Sequence, residues 1–109
     1  MLKKQKPIPC RLAVLVDGDK QIVATGMVYP SGPETVVHHQ PLLIDHVKVS
    51  VDYVIDGAEA FYIPVPSQHH TTVGESIGSF FQWPKELVIF GEVIKSSYIK
   101  VYVNNNNFC

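Results

Sequence analysis

Between Val47 and Ile55 the chain alternates. Val47, Val49, Val51, Tyr53 and Ile55 are interleaved with Lys48, Ser50, Asp52 and Val54. Strand side chains point in turn to opposite faces, so period two predicts a strand with one buried face and one mostly polar face. A helix would scatter the same five residues around its circumference. Flanking segments carry the same signal. Cys10–Val16 is an apolar run, Asp17-Gly18-Asp19 is turn chemistry, and Gln21–Tyr29 is again rich in Val, Thr and Ile. Apolar, Asp-Gly, apolar predicts a β-hairpin. Gly26, inside the second strand, predicts a bulge or a close backbone approach.

Further strands are expected at Ala60–Val65, Leu87–Phe90 and Tyr98–Val103. Pro64 and Pro66 lack the N–H for a central ladder, which places the first of these at an edge. Pro30–Pro41 reads as a loop, closed by the apolar Leu42-Leu43-Ile44, and Asp56-Gly57 as a turn. One helix is expected. Thr72 and Glu75 form the Ser/Thr-x-x-Glu capping box, and Val73, Ile77, Phe80 and Phe81 fall at helical spacing. Pro84 stops that helix and biases Trp83 away from helical geometry.

The strands follow one another without intervening helices, which disfavours a parallel sheet. The expected fold is mainly β with one short helix, a small antiparallel, partly open barrel or bent sheet of five to seven strands. At 109 residues the chain makes one domain, with a flexible basic arm (1–9), a β-rich body (10–103) and a disordered polar tail (104–109) that includes Asn104–Asn107. Apolar runs of about half a dozen residues fall short of the roughly 20 that a membrane-spanning helix needs.

Charge is unevenly placed. Lys3, Lys4, Lys6 and Arg11 lie in the first eleven positions, where there is no acid; the rest holds five basic and ten acidic residues. A basic patch suited to a nucleic-acid duplex is therefore not expected on the body. The arm is the nucleic-acid candidate, and a protein is the preferred partner. The two cysteines, Cys10 and Cys109, form no CxxC pair. They predict a reduced, intracellular protein with one core-facing thiol.

The chain offers little chemistry. His38-His39 and His69-His70 are adjacent pairs and His46 stands alone. A structural zinc site wants four Cys or His ligands in close pairs, so metal would need both loops plus an acid, and no metal or cofactor is expected. Asp17–Gln21 opens like a calcium loop, but Ile22 and Val28 stand where the glycine and the bidentate glutamate belong. Cys10 enters an apolar strand, where a thiol is inert. Asp52 and Asp56 lie four apart, yet Asp56 precedes Gly57 and is explained as a turn residue. No enzyme activity is expected. The surface assigned to partner binding is the Trp83-Pro84 corner together with the loop that carries His38 and His39.

Six elements in order carry a resemblance: Cys10-x-Leu12, Val23-Ala24-x-Gly26-x-Val28, Val47-x-Val49-x-Val51, Pro64-x-Pro66, Thr72-x-x-Glu75-x-x-Gly78 and Trp83-Pro84-x-x-Leu87-Val88. Over roughly residues 10–89 the chain resembles a plant-specific domain of unknown function. That domain occurs in proteins related to CACTA-type transposons, often near transposase-like or SUMO-protease-like segments. The resemblance implies an accessory, non-catalytic interaction module of a mobile-element-derived protein, located in the nucleus. Two alternatives stand beside it: weak nucleic-acid binding through the basic arm, and a purely structural domain packing in a longer parent protein.

Overall fold

Asp17 and Gly18 both have positive φ, 52° and 86°. These are the signs a two-residue type I′ hairpin demands. The computed structural model describes residues 6–90, and in it this turn joins β1 (Ile8–Val16) to β2 (Asp19–Tyr29). Two short strands follow, β3 (Val36–Val37) and β4 (Gln40–Pro41), then β5 (His46–Val54), β6 (Phe80–Pro84) and β7 (Val88–Phe90). Five of them form one antiparallel sheet in the order β6-β5-β2-β1-β7, and β3 and β4 pair separately. The fold is mainly β, and the sheet does not close into a barrel. No described helix is long and apolar enough to cross a membrane.

One face of the large sheet is the core. Leu12, Val23, Val49, Val51, Phe81 and Trp83 are fully buried there. The excursion between β5 and β6 closes over this face with Ala58, Ile63 and Val73. A backbone bond from Val73 N to Phe61 O (2.8 Å) holds it together, and one from Gly78 N to Val51 O (2.8 Å) ties it to β5.

The alternation in β5 holds only as far as Val51. Gly26 pairs with Val51 and Thr25 with Tyr53, which leaves Asp52 as an extra, unpaired residue. This bulge reverses the parity of the residues after it. Tyr53 turns outward and Val54, not Tyr53, enters the core. Gly26 sits opposite the bulge. A Cβ there would overlap the Ser50 carbonyl oxygen and lie 2.9 Å from its carbon, so both expectations for this glycine, bulge and close approach, are met at one point.

The expected helix is one 3-10 turn, Val73–Ser76. Val73 is buried, but Ile77 and Phe80 are exposed, so no helical stripe exists. Ile77 has ψ 131° and Gly78 has φ 84°, which end the turn after four residues. Phe80, Phe81, Gln82 and Trp83 continue as strand β6, against β5. The Glu75 half of the capping box forms, its carboxylate accepting from Thr71 N (2.9 Å) and Thr72 N (3.1 Å).

Ala60–Val65 makes only an isolated bridge, Tyr62 with Thr72, because Pro64 and Pro66 cannot donate to a ladder. The strand expected at Leu87–Phe90 is β7, preceded by a second 3-10 turn at Lys85–Leu87. The expected arm is shorter at its C-terminal end: Ile8 and Pro9 already pair with Val28 and Met27. Arg11 belongs to β1, between Thr25 and Ile89, and is not a free arm cation. Lys3, Lys4, the strand expected at Tyr98–Val103 and the asparagine tail lie outside the described residues.

Candidate functional site

β3 and β4 are joined by His38 and His39 alone, with Val37 pairing with Gln40. Both histidines adopt left-handed conformations, φ 52° and 67°. This is again the type I′ geometry, which normally draws Asn or Gly because a Cβ strains it. The hairpin is anchored at two points. Val37 is buried, and Gln82 on β6 accepts from Leu43 N (2.8 Å) and donates to Pro41 O (3.2 Å).

A second loop faces the hairpin. Ile63 N bonds Thr71 O (2.9 Å) and Ser67 N bonds His70 O (3.0 Å), so residues 63–71 double back on themselves. Ser67 Oγ accepts from His69 N (3.3 Å) and His70 N (3.0 Å) and lies 3.3 Å from His70 Nδ1. That hydroxyl pins the second histidine pair.

Phe81 brings the two loops together. Its buried ring meets the His38 ring edge-on at 5.2 Å between centroids and the His70 ring edge-on at 6.1 Å. Such T-shaped contacts favour the positive ring edge against the negative face. Between the loops lies a groove of about 560 Å³. Four histidines, Gln40 and Gln82 line much of it, and no Asp, Glu, Lys or Arg does. The groove therefore offers hydrogen-bond donors and acceptors beside apolar walls, without fixed charge. Among the described residues no three His, Cys, Asp or Glu side chains could hold one ion. His38 and His70 are turned onto Phe81, and Ser67 occupies the Nδ1 side of His70.

His38 and His39 are thus brought to the groove, joined by His70, Ser67 and Gln82, which the sequence left unassigned. The signal was there for the serine: Ser-x-x-His directly after Pro66 is turn chemistry. Nothing comparable marks Gln82, whose bonds span about forty positions. Trp83 is not at the surface. It is completely buried, and its Nε1 donates to Ala13 O at 2.9 Å, so it bolts β6 to β1 through the core. The expectation assumed that a proline stop swings the tryptophan outward, but Pro84 ends a strand whose parity sends residue 83 inward. Pro84 pairs with His46 and lines a separate recess of about 300 Å³ with Asp45, Lys85 and Glu86. Of the arm cations, Lys6 is described and exposed.

Cys10 is buried as expected, and burial pushes its thiol up to about 11. Asp52 sits in the β5 bulge and accepts from Ser50 Oγ at 3.4 Å, while Asp56 is exposed at the turn before Gly57.

The fold and the groove define a small antiparallel β domain with a histidine-lined cleft that no carboxylate, lysine or arginine lines. Residues 1–91 match the family described as a domain of unknown function, DUF8039, and the chain belongs to that family. No curated protein and no solved structure matches the chain.

Proposed function

We propose that this chain is a non-catalytic interaction module whose groove holds an extended segment of a protein partner. The observation that carries this is the convergence of both histidine pairs, 31 positions apart, on one uncharged cleft against Phe81. Two non-glycine residues in left-handed geometry form one wall. Strain of this kind persists where the surroundings enforce it, and it clusters at binding sites. A cleft with amide, imidazole and hydroxyl groups between apolar walls suits a peptide backbone with small apolar or amide side chains. The state of the thiol supports the non-catalytic reading: Cys10 is buried, and its raised pKa keeps it protonated at neutral pH.

The resemblance to the plant CACTA-transposon-related domain supports an accessory role in a mobile-element-derived protein and a nuclear location.

Peptides selected from a random phage-displayed library on the full chain test the groove. Bound peptide is expected to shift the backbone amide resonances of His38, His39, Ser67 and His70. The double variant His38→Asn, His70→Ala, with asparagine chosen because it tolerates left-handed geometry, is expected to bind at least about tenfold more weakly, a loss of about 1.4 kcal/mol. Selected peptides that shift other regions, or bind the folded double variant equally well, would refute the groove as the site.

A further inference from the structure

The sheet face turned away from the core holds a second concentration of chemistry. The strand registers set Arg11, Thr25 and Tyr53 in one row, Met27, Ser50 and Phe80 in the next, and Tyr29 with Lys48 in a third. Phe80 meets the Tyr29 ring edge-on at 5.3 Å, and Lys48 Nζ lies 4.9 Å from the Phe80 centroid. Phe80 is 41% and Tyr53 is 55% exposed. Scattered single apolar residues at a surface need no explanation, but aromatics in adjoining rows with cations between them form a patch.

Two further observations give the patch a sign. Arg11 Nε is buried with no hydrogen-bond partner among the described residues. Lys6 lies two residues before Ile8, which pairs with Val28, so it adds a cation at the Tyr29 and Lys48 end of the sheet. The acid nearest in register is Asp52, in the bulge and hydrogen-bonded from Ser50. In a body that holds ten acids and six bases, cations and exposed rings share this face.

We propose that this face binds single-stranded nucleic acid. Bases stack on Tyr53, Phe80 and Tyr29, and Lys48, Arg11 and Lys6 meet the phosphates. Stacking on side chains needs unstacked bases, which a single strand offers and a duplex does not. Phosphate neutralisation supplies the sequence-independent part of the affinity. Gln82, which pairs with Lys48, borders both this surface and the histidine groove, but none of the stacking rings or cations lines the groove.

The test is fluorescence anisotropy of labelled oligo-dT and oligo-U with the full chain, between about 50 and 200 mM KCl. Tyr53→Ala and, independently, Phe80→Leu are each expected to weaken binding by at least about fivefold without changing the salt slope. Lys48→Gln is expected to lower that slope by about 0.7. Far-UV circular dichroism and urea midpoints select the variants that stay folded. No binding at the lowest salt overturns the proposal. So does binding that survives both aromatic changes but is lost when residues 1–6 are removed, since that assigns it to the arm alone. Duplex bound as tightly as single strand, or full displacement by poly-glutamate, would show recognition of charge without stacking and would likewise overturn it.

Discussion

Gly26→Ala tests the closest approach in the fold. The added Cβ would overlap the Ser50 carbonyl oxygen, with the carbonyl carbon at 2.9 Å and Val51 Cα at 3.3 Å. Unstrained carbon contacts begin near about 3.5 Å, and here every neighbour is backbone of the paired strand, so no rotamer change relieves the clash. β2 and β5 must separate by about 1 Å or more at the bulge. Overpacking of this kind costs about 1–3 kcal/mol. One or two weakened ladder bonds add about 0.5–1.5 kcal/mol each, which brings the loss to about 1.5–6 kcal/mol. Stability of a domain this size is about 5–15 kcal/mol in total. At about 4–8 °C per kcal/mol, the melting temperature should fall by about 6–48 °C.

Two other glycines separate sterics from conformation. Gly18 has φ 86° with nothing within 4 Å of a Cβ, so Gly18→Ala should cost only the left-handed penalty of about 1–2 kcal/mol. Gly32 has open space and no positive φ, so Gly32→Ala should fall within about 1 kcal/mol of the parent. Urea unfolding followed by circular dichroism reads all three. A Gly26→Ala protein no less stable than Gly18→Ala would refute the claim that contact with Ser50 sets this position.

Trp83→Phe should destabilise by about 1–3 kcal/mol by stranding the buried Ala13 carbonyl, and Trp83→Ala by about 3–5 kcal/mol; denaturant midpoints decide. Glu75 is held below its usual pKa chiefly by the backbone N–H of Thr71, then that of Thr72. A depressed carboxyl pKa stabilises above the unfolded value and loses that contribution as pH falls through the folded one. Glu75→Gln should therefore flatten the acid limb of melting temperature against pH below about 4.3, and an unchanged limb would contradict it. Burial raises the Cys10 thiol from 9.0 to about 11, so its contribution is complete below the lower value and lost as pH rises through the higher. In a Cys109→Ser background, Cys10 should resist a thiol reagent at pH about 8 when folded and react at once in urea.

Turn chemistry made part of this fold legible. Asp17-Gly18 announced its hairpin because the type I′ turn admits few residues. His38-His39 forms the same turn and went unread, because histidine reaches left-handed geometry only when tertiary contacts hold it, here through Val37 and Phe81. Periodicity misled where the backbone slips or stops. The bulge at Asp52 broke an otherwise regular alternation. The 73–81 spacing looked helical until Gly78 ended the turn and handed Phe80 and Phe81 to a strand. The first histidine pair was readable as a binding candidate, but its partners were not. His70 reaches the groove only where its loop folds against Phe81, and Gln82 only through the sheet; no local pattern encodes a contact made forty residues away.

The order β6-β5-β2-β1-β7 places the first strand beside the last described one, and the Trp83 indole closes over Ala13 across 70 positions. On a chain emerging in order, β1 and β2 can zip at once, whereas Cys10, Leu12 and Ala13 wait for residues 83–90 to complete their surroundings. Closing so long a loop costs entropy before any contact repays it. Until those residues emerge, the half-made sheet exposes an apolar strand edge, and a longer wait leaves more time for that edge to pair with another chain.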